Sequence, residues 1–301
     1  MLQPKERIIL NYPYLLNDNT KQQYFQYQIT VRREKIMSRV IACVNEKGGV
    51  AKTTTVKNLA IGLAGKGKKV LVIDLDPSMN LTTSLGLFLQ HGEPTIMDIL
   101  KAEKECEDIP EDFAIMRQEE GIDVICSTTD LHTFENELMY AMQREITLRK
   151  YVVTIKDKYD YVIIDCPAGL GLYVTNALFC ADAALIPVQP QFLGAGAMQN
   201  LFGYINQIRK LNGTMTKPEI LGILFTMVRI NTNNDKELMS YFCESYKGKI
   251  NIFDTYIPNS VRFSESDGEG QSIFKYAPKT ASSMVFGDFV NEFVKLEEHE
   301  G

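Results

Sequence analysis

No apolar run in the 301 residues approaches the roughly 18 that a membrane-spanning helix needs. The first 30 residues also lack the apolar core of a secretory signal. A soluble, cytoplasmic chain without a membrane partner is therefore expected. Histidine is scarce: three residues, His91, His132 and His299, lie far apart and form no set able to hold a structural metal or run imidazole-based catalysis. The six cysteines (Cys43, Cys106, Cys126, Cys166, Cys180, Cys243) make no CxxC pair. Three sit in strongly apolar stretches, so most read as buried small hydrophobes in a reducing compartment. Basic residues are outnumbered, 32 against 38 acidic, for a net charge of −6. That excludes coating nucleic acid by bulk charge but not a local basic face. What is present is an ordinary globular composition, 45% hydrophobic and 23% charged.

The first 37 residues differ from the rest. Six basic and three acidic residues give them +3, against −9 for the remainder, and Asn17 to Gln28 is polar and rich in Gln, Tyr and Asn. Three readings stand side by side: a disordered tail, an added interaction segment, or a translation-start artefact. For the last, Arg32-Arg33-Glu34 just before Met37 could be encoded by a purine-rich ribosome site. Residues 1–38 are therefore set apart as an N-terminal extension and residues 39–301 as one domain.

From Arg39 onward the pattern is regular. Val40 to Val44 is a short apolar run of the buried-strand kind, followed by a Gly-rich turn and a helix over Thr53 to Ala64, closed by Gly65-Lys66-Gly67. A second strand, Val70 to Ile73, ends at Asp74. Residues 81–120 read as helices and loops, Gly121 to Ile125 as a strand, and Thr133 to Lys150 as one helix. Further strands are expected at Tyr161–Ile164, Ala184–Val188, Ile220–Thr226 and Ile252–Tyr256, with helices between. Strands alternating with helices imply an α/β fold with a doubly wound, mostly parallel sheet.

The most informative segment runs from Glu46 through Lys47, Gly48, Gly49, Val50, Ala51, Lys52, Thr53 and Thr54. Gly-Gly alone would suit any strand-to-helix turn. Strand, glycines, Lys-Thr and helix in that order suit a phosphate-binding loop. Glycines let backbone N–H groups turn inward around phosphate oxygens, and the helix that follows adds the positive end of its dipole. Lys52 reaches the β- and γ-phosphates in such a loop, and the Thr53 hydroxyl meets Mg²⁺. Two positions depart from G-x-x-x-x-G-K-[ST]: Glu46 and Ala51 stand where glycines are usual.

A loop of the form K-G-G-x-x-K-[ST] resembles the deviant Walker A motif of the ParA/MinD-type ATPases. The resemblance implies a P-loop NTPase fold and makes Lys47 the residue that reaches across an ATP-sandwiched homodimer. Asp74-Leu75-Asp76-Pro77-Ser78-Met79-Asn80 resembles the family's D-x-D-P-x-x-N segment. By that match Asp76 orients the attacking water and Asp74 lines the Mg²⁺ region. Tyr161 to Asp165 reads as a Walker B strand, with Asp165 holding Mg²⁺ through water; Ala168 departs from the usual D-x-P-P.

The C-terminal third resembles the ParA/Soj branch. Ile257-Pro258-Asn259-Ser260-Val261-Arg262 is similar to an I-P-R-x-V-R stretch, placing Pro258 near the adenine and Arg262 on a non-specific DNA surface. Thr226-Met227-Val228-Arg229-Ile230-Asn231 is similar to T-M-x-D-x-R. Met227 then joins the nucleotide contacts and Arg229 the DNA face, with Lys247, Lys249 or Lys275 as further candidates. Asn231 and Asn259 replace arginines. Phe286, Phe289, Val290, Phe293 and Val294 follow helical spacing, but acidic residues flank them. Such a stripe packs on a sheet rather than on anionic lipid. The resemblance thus implies an ATPase that dimerises on ATP, binds DNA, and is stimulated by a ParB-like partner. The alternative is a dimerising switch of the same family that positions a protein cargo without DNA.

Overall fold

The structure is a computed structural model that describes residues 38–191, 194–213, 217–230 and 232–300. The expectations for residues 1–37 and for Asn231 lie outside the described residues.

Four strands are near-continuous apolar runs because both of their faces are covered. They are β1 (Arg39–Cys43), β2 (Val70–Asp74), β5 (Tyr161–Asp165) and β6 (Ala183–Val188). With β3 (Ile115–Arg117), β4 (Asp123–Ile125) and β7 (Glu219–Phe225) they form a seven-stranded sheet in the order β3-β4-β2-β5-β1-β6-β7. All pairings are parallel except β3 with β4. Register sets Asp74 opposite Asp165, and Cys43 opposite Asp165 as well. Both carboxylates therefore stand at the carboxyl ends of neighbouring strands, beside the loop that leaves β1. This is where a doubly wound sheet presents its ligand crevice.

Helices cover both faces. One face carries α3 (Ile96–Glu105), α4 (Leu131–Leu138), α5 (Thr147–Ile155), α6 (Leu172–Cys180), α7 (Gly194–Leu211) and α8 (Asn233–Tyr246). The other carries α1 (Lys52–Ala64), α2 (Asn80–Ser84), α9 (Val261–Gly268), α10 (Ile273–Tyr276) and α11 (Ala281–Glu300). Strand residues alternate between the two cores: Ala42, Ile73 and Ile164 face the first, while Ile41, Val72 and Ile163 face the second. The aromatic stripe on α11 packs inward as expected. Phe286, Phe289 and Phe293 are buried, with Phe289 edge-on to Phe253 at 5.1 Å and Phe293 to Tyr161 at 5.7 Å. Each such ring contributes roughly 1.5–3 kcal/mol on burial. Among the described residues no helix is long and apolar enough to cross a membrane.

Three local expectations need correction. The single helix expected over Thr133 to Lys150 is broken between α4 and α5. Buried Asn176 of α6 is the cause: its Oδ1 accepts from the Leu148 N–H at 3.1 Å and its Nδ2 donates to the Arg144 carbonyl at 2.8 Å. The segment Ile252–Tyr256 is not a strand but touches β7 at an isolated bridge, Ile223 to Ile252. The Asp254 and Thr255 N–H groups turn away to the Glu292 carboxylate of α11 at 2.6 and 2.9 Å. Finally, β3 lies within a stretch expected to hold only helices and loops.

Candidate nucleotide site

The loop between β1 and α1 is fastened from three sides. Asn45, buried at its start, donates from Nδ2 to the Pro187 carbonyl of β6 at 2.7 Å and accepts from the Lys47 N–H at 2.9 Å. The Gly169 N–H donates to the Glu46 carbonyl at 2.9 Å, and the Thr226 hydroxyl to the Val50 carbonyl at 2.9 Å. Gly49 has φ +67°, as a loop that curls around an anion requires. Ala51 has φ +60° and caps α1 in the left-handed region, which explains why glycine is usual there. A Cβ on Gly48 would meet the Ala168 methyl at 3.7 Å, so alanine in the D-x-P-P position leaves the loop ordinary contact.

Lys52 is only 7% exposed and curls over its own loop, Nζ lying 3.4 Å from the Asn45 carbonyl and 3.3 Å from that of Lys47. Lys47 itself turns to the Gln191 side-chain oxygen. Thr53 Oγ1 donates to Asp165 Oδ2 at 2.7 Å. Asp165 is fully buried, and its Oδ1 has no hydrogen-bond partner among the described residues. Asp74 accepts from the Thr82 N–H at 2.9 Å, the Thr82 hydroxyl at 2.7 Å and the Asp76 N–H at 3.2 Å. Burial pushes the Asp74 carboxyl up to about 6 despite these bonds. Burial, followed by the Asp74 charge, holds the Asp165 carboxyl well above the usual range. A cation between such carboxylates would invert that balance. A buried orphan carboxylate oxygen beside a threonine hydroxyl is a hard-oxygen donor set that fits Mg²⁺.

Asp76 is half-buried, and its Oδ1 accepts from the N–H and hydroxyl of Ser78 at 2.9 and 2.7 Å. It lines a cleft of about 760 Å³ together with Gly48, Gly49, Ala51, Lys52, Thr53 and Thr54 of the loop and the start of α1. Asn80, Thr83 and Ser84 of α2, with Phe88, and Asp267 and Gly268 of α9 also line it.

Met227 and Pro258 do not line this cleft, but they stand close to one another. The Val228 N–H donates to the Ile257 carbonyl at 3.0 Å and the Asn259 N–H to the Val228 carbonyl at 2.9 Å. Thr226 ties this pair of segments to the phosphate loop at Val50. Met227 has φ +53°. Arg229 grips buried Asp235 with its guanidinium, Nη2 to Oδ1 at 3.0 Å, and with its own N–H at 2.8 Å. Arg262 pairs with Glu265 at 2.9 Å. Each guanidinium keeps half of its side chain exposed, 51% in both cases. Lys247 and Lys275 lie near acidic partners, Glu244 and Glu119.

Sequence reasoning missed Lys57 and Asp267. Lys57 is fully buried and paired with Asp267, which lines the cleft. The available signal was a Lys-Asn pair interrupting the apolar run of α1 between Val56 and Leu59.

Residues 38–217 match the AAA domain family. The chain is 36% identical over 257 residues to the sporulation initiation inhibitor protein Soj of Bacillus subtilis, covering 85% of this chain and 98% of that one. It is 34% identical over 266 residues to the chromosome partitioning protein ParA of Caulobacter vibrioides, covering 86% and 95%. Among solved structures, cobyrinic acid a,c-diamide synthase from Mycobacterium smegmatis with bound ADP and magnesium superposes with a TM-score of 0.73 at 26% identity. That match covers 88% of this chain and 97% of the synthase. With its phosphate loop, its paired strand-end carboxylates and these relatives, the chain belongs to the ParA/Soj family of P-loop partitioning ATPases.

Proposed function

We propose that the protein hydrolyses ATP with Mg²⁺ and uses the ATP state to form a homodimer that binds DNA non-specifically. A ParB-like partner stimulates hydrolysis and returns the monomer, so the protein is nucleoid-associated while ATP is bound and serves segregation of a chromosome, plasmid or integrative element. The observation that carries this reading is the Thr53–Asp165 bond with the orphaned Asp165 oxygen beside it, next to Lys52 on the same loop.

In this reading the N–H groups of residues 48–54 cradle the phosphates, and Lys52 leaves its carbonyl contacts for phosphate oxygens. Thr53 and Asp165, with Asp74 behind them, would hold Mg²⁺, which supplies charge neutralisation at the phosphates when bound. Among the described residues no group of three or more His, Cys, Asp or Glu converges. The remaining ligands would then be phosphate oxygens and water, as Mg²⁺ prefers. Asp76 orients the attacking water, and Lys47 leaves Gln191 to reach the partner's nucleotide. Met227 and Pro258 flank the adenine. Catalysis is positioning and electrostatics, without a covalent intermediate.

The DNA face of the dimer is assigned to Arg229 and Arg262. A second reading, a switch that positions a protein cargo without DNA, is favoured by the acidic partners both arginines already have and by Asn259 in place of an arginine. The test is DNA binding with ATP, ADP and no nucleotide across a salt series. Binding that requires ATP and weakens steeply with salt supports the DNA reading. Absence of binding in all three states replaces it with the cargo reading.

A further inference from the structure

One charged side chain lies deeper in the fold than any mechanism above requires. Lys57, on the second turn of α1, is 0% exposed. An ammonium group so far from water is tolerated when its three N–H donors all find acceptors. Lys57 has three: the Ser84 carbonyl at 3.4 Å, the Gln271 carbonyl at 2.9 Å and the Asp267 carboxylate.

Those acceptors belong to separate elements. Ser84 is the last residue of α2, the helix that follows Asp76. Asp267 lies on α9, and Gln271 in the loop leading to α10. Helix α2 has only five residues, so its place depends on what holds its ends. Its first turn is held by Asp74, which accepts the N–H and hydroxyl of Thr82. Lys57 takes the carbonyl at its last residue. Beyond that end the backbones of the two elements touch. A Cβ on Gly270 would fall 2.7 Å from the Gly86 Cα, and both glycines have left-handed φ, +65° and +71°. Ser84 and Asp267 also line the cleft that Asp76 faces.

We infer that Lys57 is a positioning residue for ATP turnover: it locks the helix following Asp76 onto α9 and so keeps Asp76 aimed at the phosphate end of the cleft. The role rests on reading the chain as an ATPase. An apolar side chain would fill this space at lower desolvation cost, but it would not link three elements directionally. The phosphate loop is fastened independently, through Asn45, Gly169 and Thr226. Loss of the strut should therefore spare nucleotide binding.

The experiment compares the full chain with Lys57→Met, Asp267→Asn and the double variant. Binding of a non-hydrolysable ATP analogue is measured beside kcat and KM with Mg-ATP. Each single variant is expected to keep its analogue affinity and KM while kcat falls on the order of 10–100-fold, as misplacement of a reacting group does. The double variant should be no slower than the worse single one. A wild-type kcat in Asp267→Asn, or a loss of analogue affinity that matches the loss of kcat, overturns the role. If Lys57→Met does not fold, Asp267→Asn decides. Hydrogen exchange without nucleotide tests the strut apart from turnover. In Lys57→Met, or in Asp267→Asn if that is the folded variant, faster exchange confined to residues 76–86 and 261–272 is expected, and unchanged exchange there overturns it. A wild-type chain that hydrolyses no ATP overturns the ATPase reading, and the exchange result still stands on its own.

Discussion

Thr53 Oγ1 and Asp165 Oδ2 are joined by a 2.7 Å hydrogen bond that spans 112 positions of the chain. It ties the first turn of α1 to the carboxyl end of β5 and leaves the second Asp165 oxygen buried with no partner among the described residues. Asp165→Asn keeps an acceptor for Thr53 and removes a charge that burial disfavours. The variant is expected to fold with a melting temperature at or above that of the wild type. The part of its stabilisation by an ATP analogue that depends on magnesium should disappear. Thermal shifts with the analogue, with and without magnesium, measure this; an unchanged magnesium effect would remove Asp165 from the metal site.

Lys52 and Asp76 should separate binding from chemistry. Lys52→Ala removes charge-assisted hydrogen bonds to phosphate and is expected to weaken ATP binding on the order of 100-fold. Asp76→Ala should retain binding, because Asp76 lies outside the phosphate loop and its carboxylate is held by Ser78, while turnover falls on the order of 10²–10⁴-fold. Nucleotide titration beside a phosphate-release assay distinguishes the two. Equal loss of binding in both variants would refute the assignment of Asp76.

Ala51 holds φ +60°, a conformation that costs a residue with a Cβ roughly 1–2 kcal/mol. Ala51→Gly relieves this and adds freedom to the unfolded chain, and the two effects partly cancel. A net stabilisation of up to about 1 kcal/mol is expected, read from urea unfolding midpoints of the nucleotide-free protein. A destabilised variant would show that the Ala51 methyl packs favourably in the loop.

The Arg229–Asp235 pair sets an acid limit. Burial pushes the Asp235 carboxyl up, but hydrogen bonds from the Arg229 side chain and N–H and from Thr232 outweigh it, leaving it below its ordinary value. A depressed carboxyl contributes stability above its unfolded value, about 3.9. That contribution is lost as the pH falls through the lower folded value. Arg229→Met should therefore be less stable than wild type at neutral pH, with the gap closing as the pH drops below about 4. Unfolding curves at several pH values test this, and a gap that widens in acid contradicts it.

Much of the site was legible because its chemistry is local in the chain. Lys47 to Thr54, Asp74 to Asn80 and Tyr161 to Asp165 each keep their candidate side chains close to the carboxyl end of one strand, and parallel pairing then brings them together. The α11 stripe was legible for the same reason, through helical spacing. What escaped notice depends on distant partners. Lys57 meets Asp267 210 positions away. The break between α4 and α5 is made by Asn176 of α6, and the failure of Ile252–Tyr256 to continue as a strand by Glu292 of α11. The short β3 exists only because β4 offers it an edge.

The interior place of β1 in the sheet has a consequence for how the protein comes into being. The Val40 N–H donates to Asp182, 142 positions downstream, and the sheet neighbours of β1, β5 and β6, are both made long after it. While the chain is being synthesised, this apolar strand has no sheet partner until β5 emerges and lacks the second until β6 has left the ribosome. Pairings so remote in sequence close slowly. The candidate phosphate loop is thus among the first segments of the domain to be made and among the last to take its folded shape.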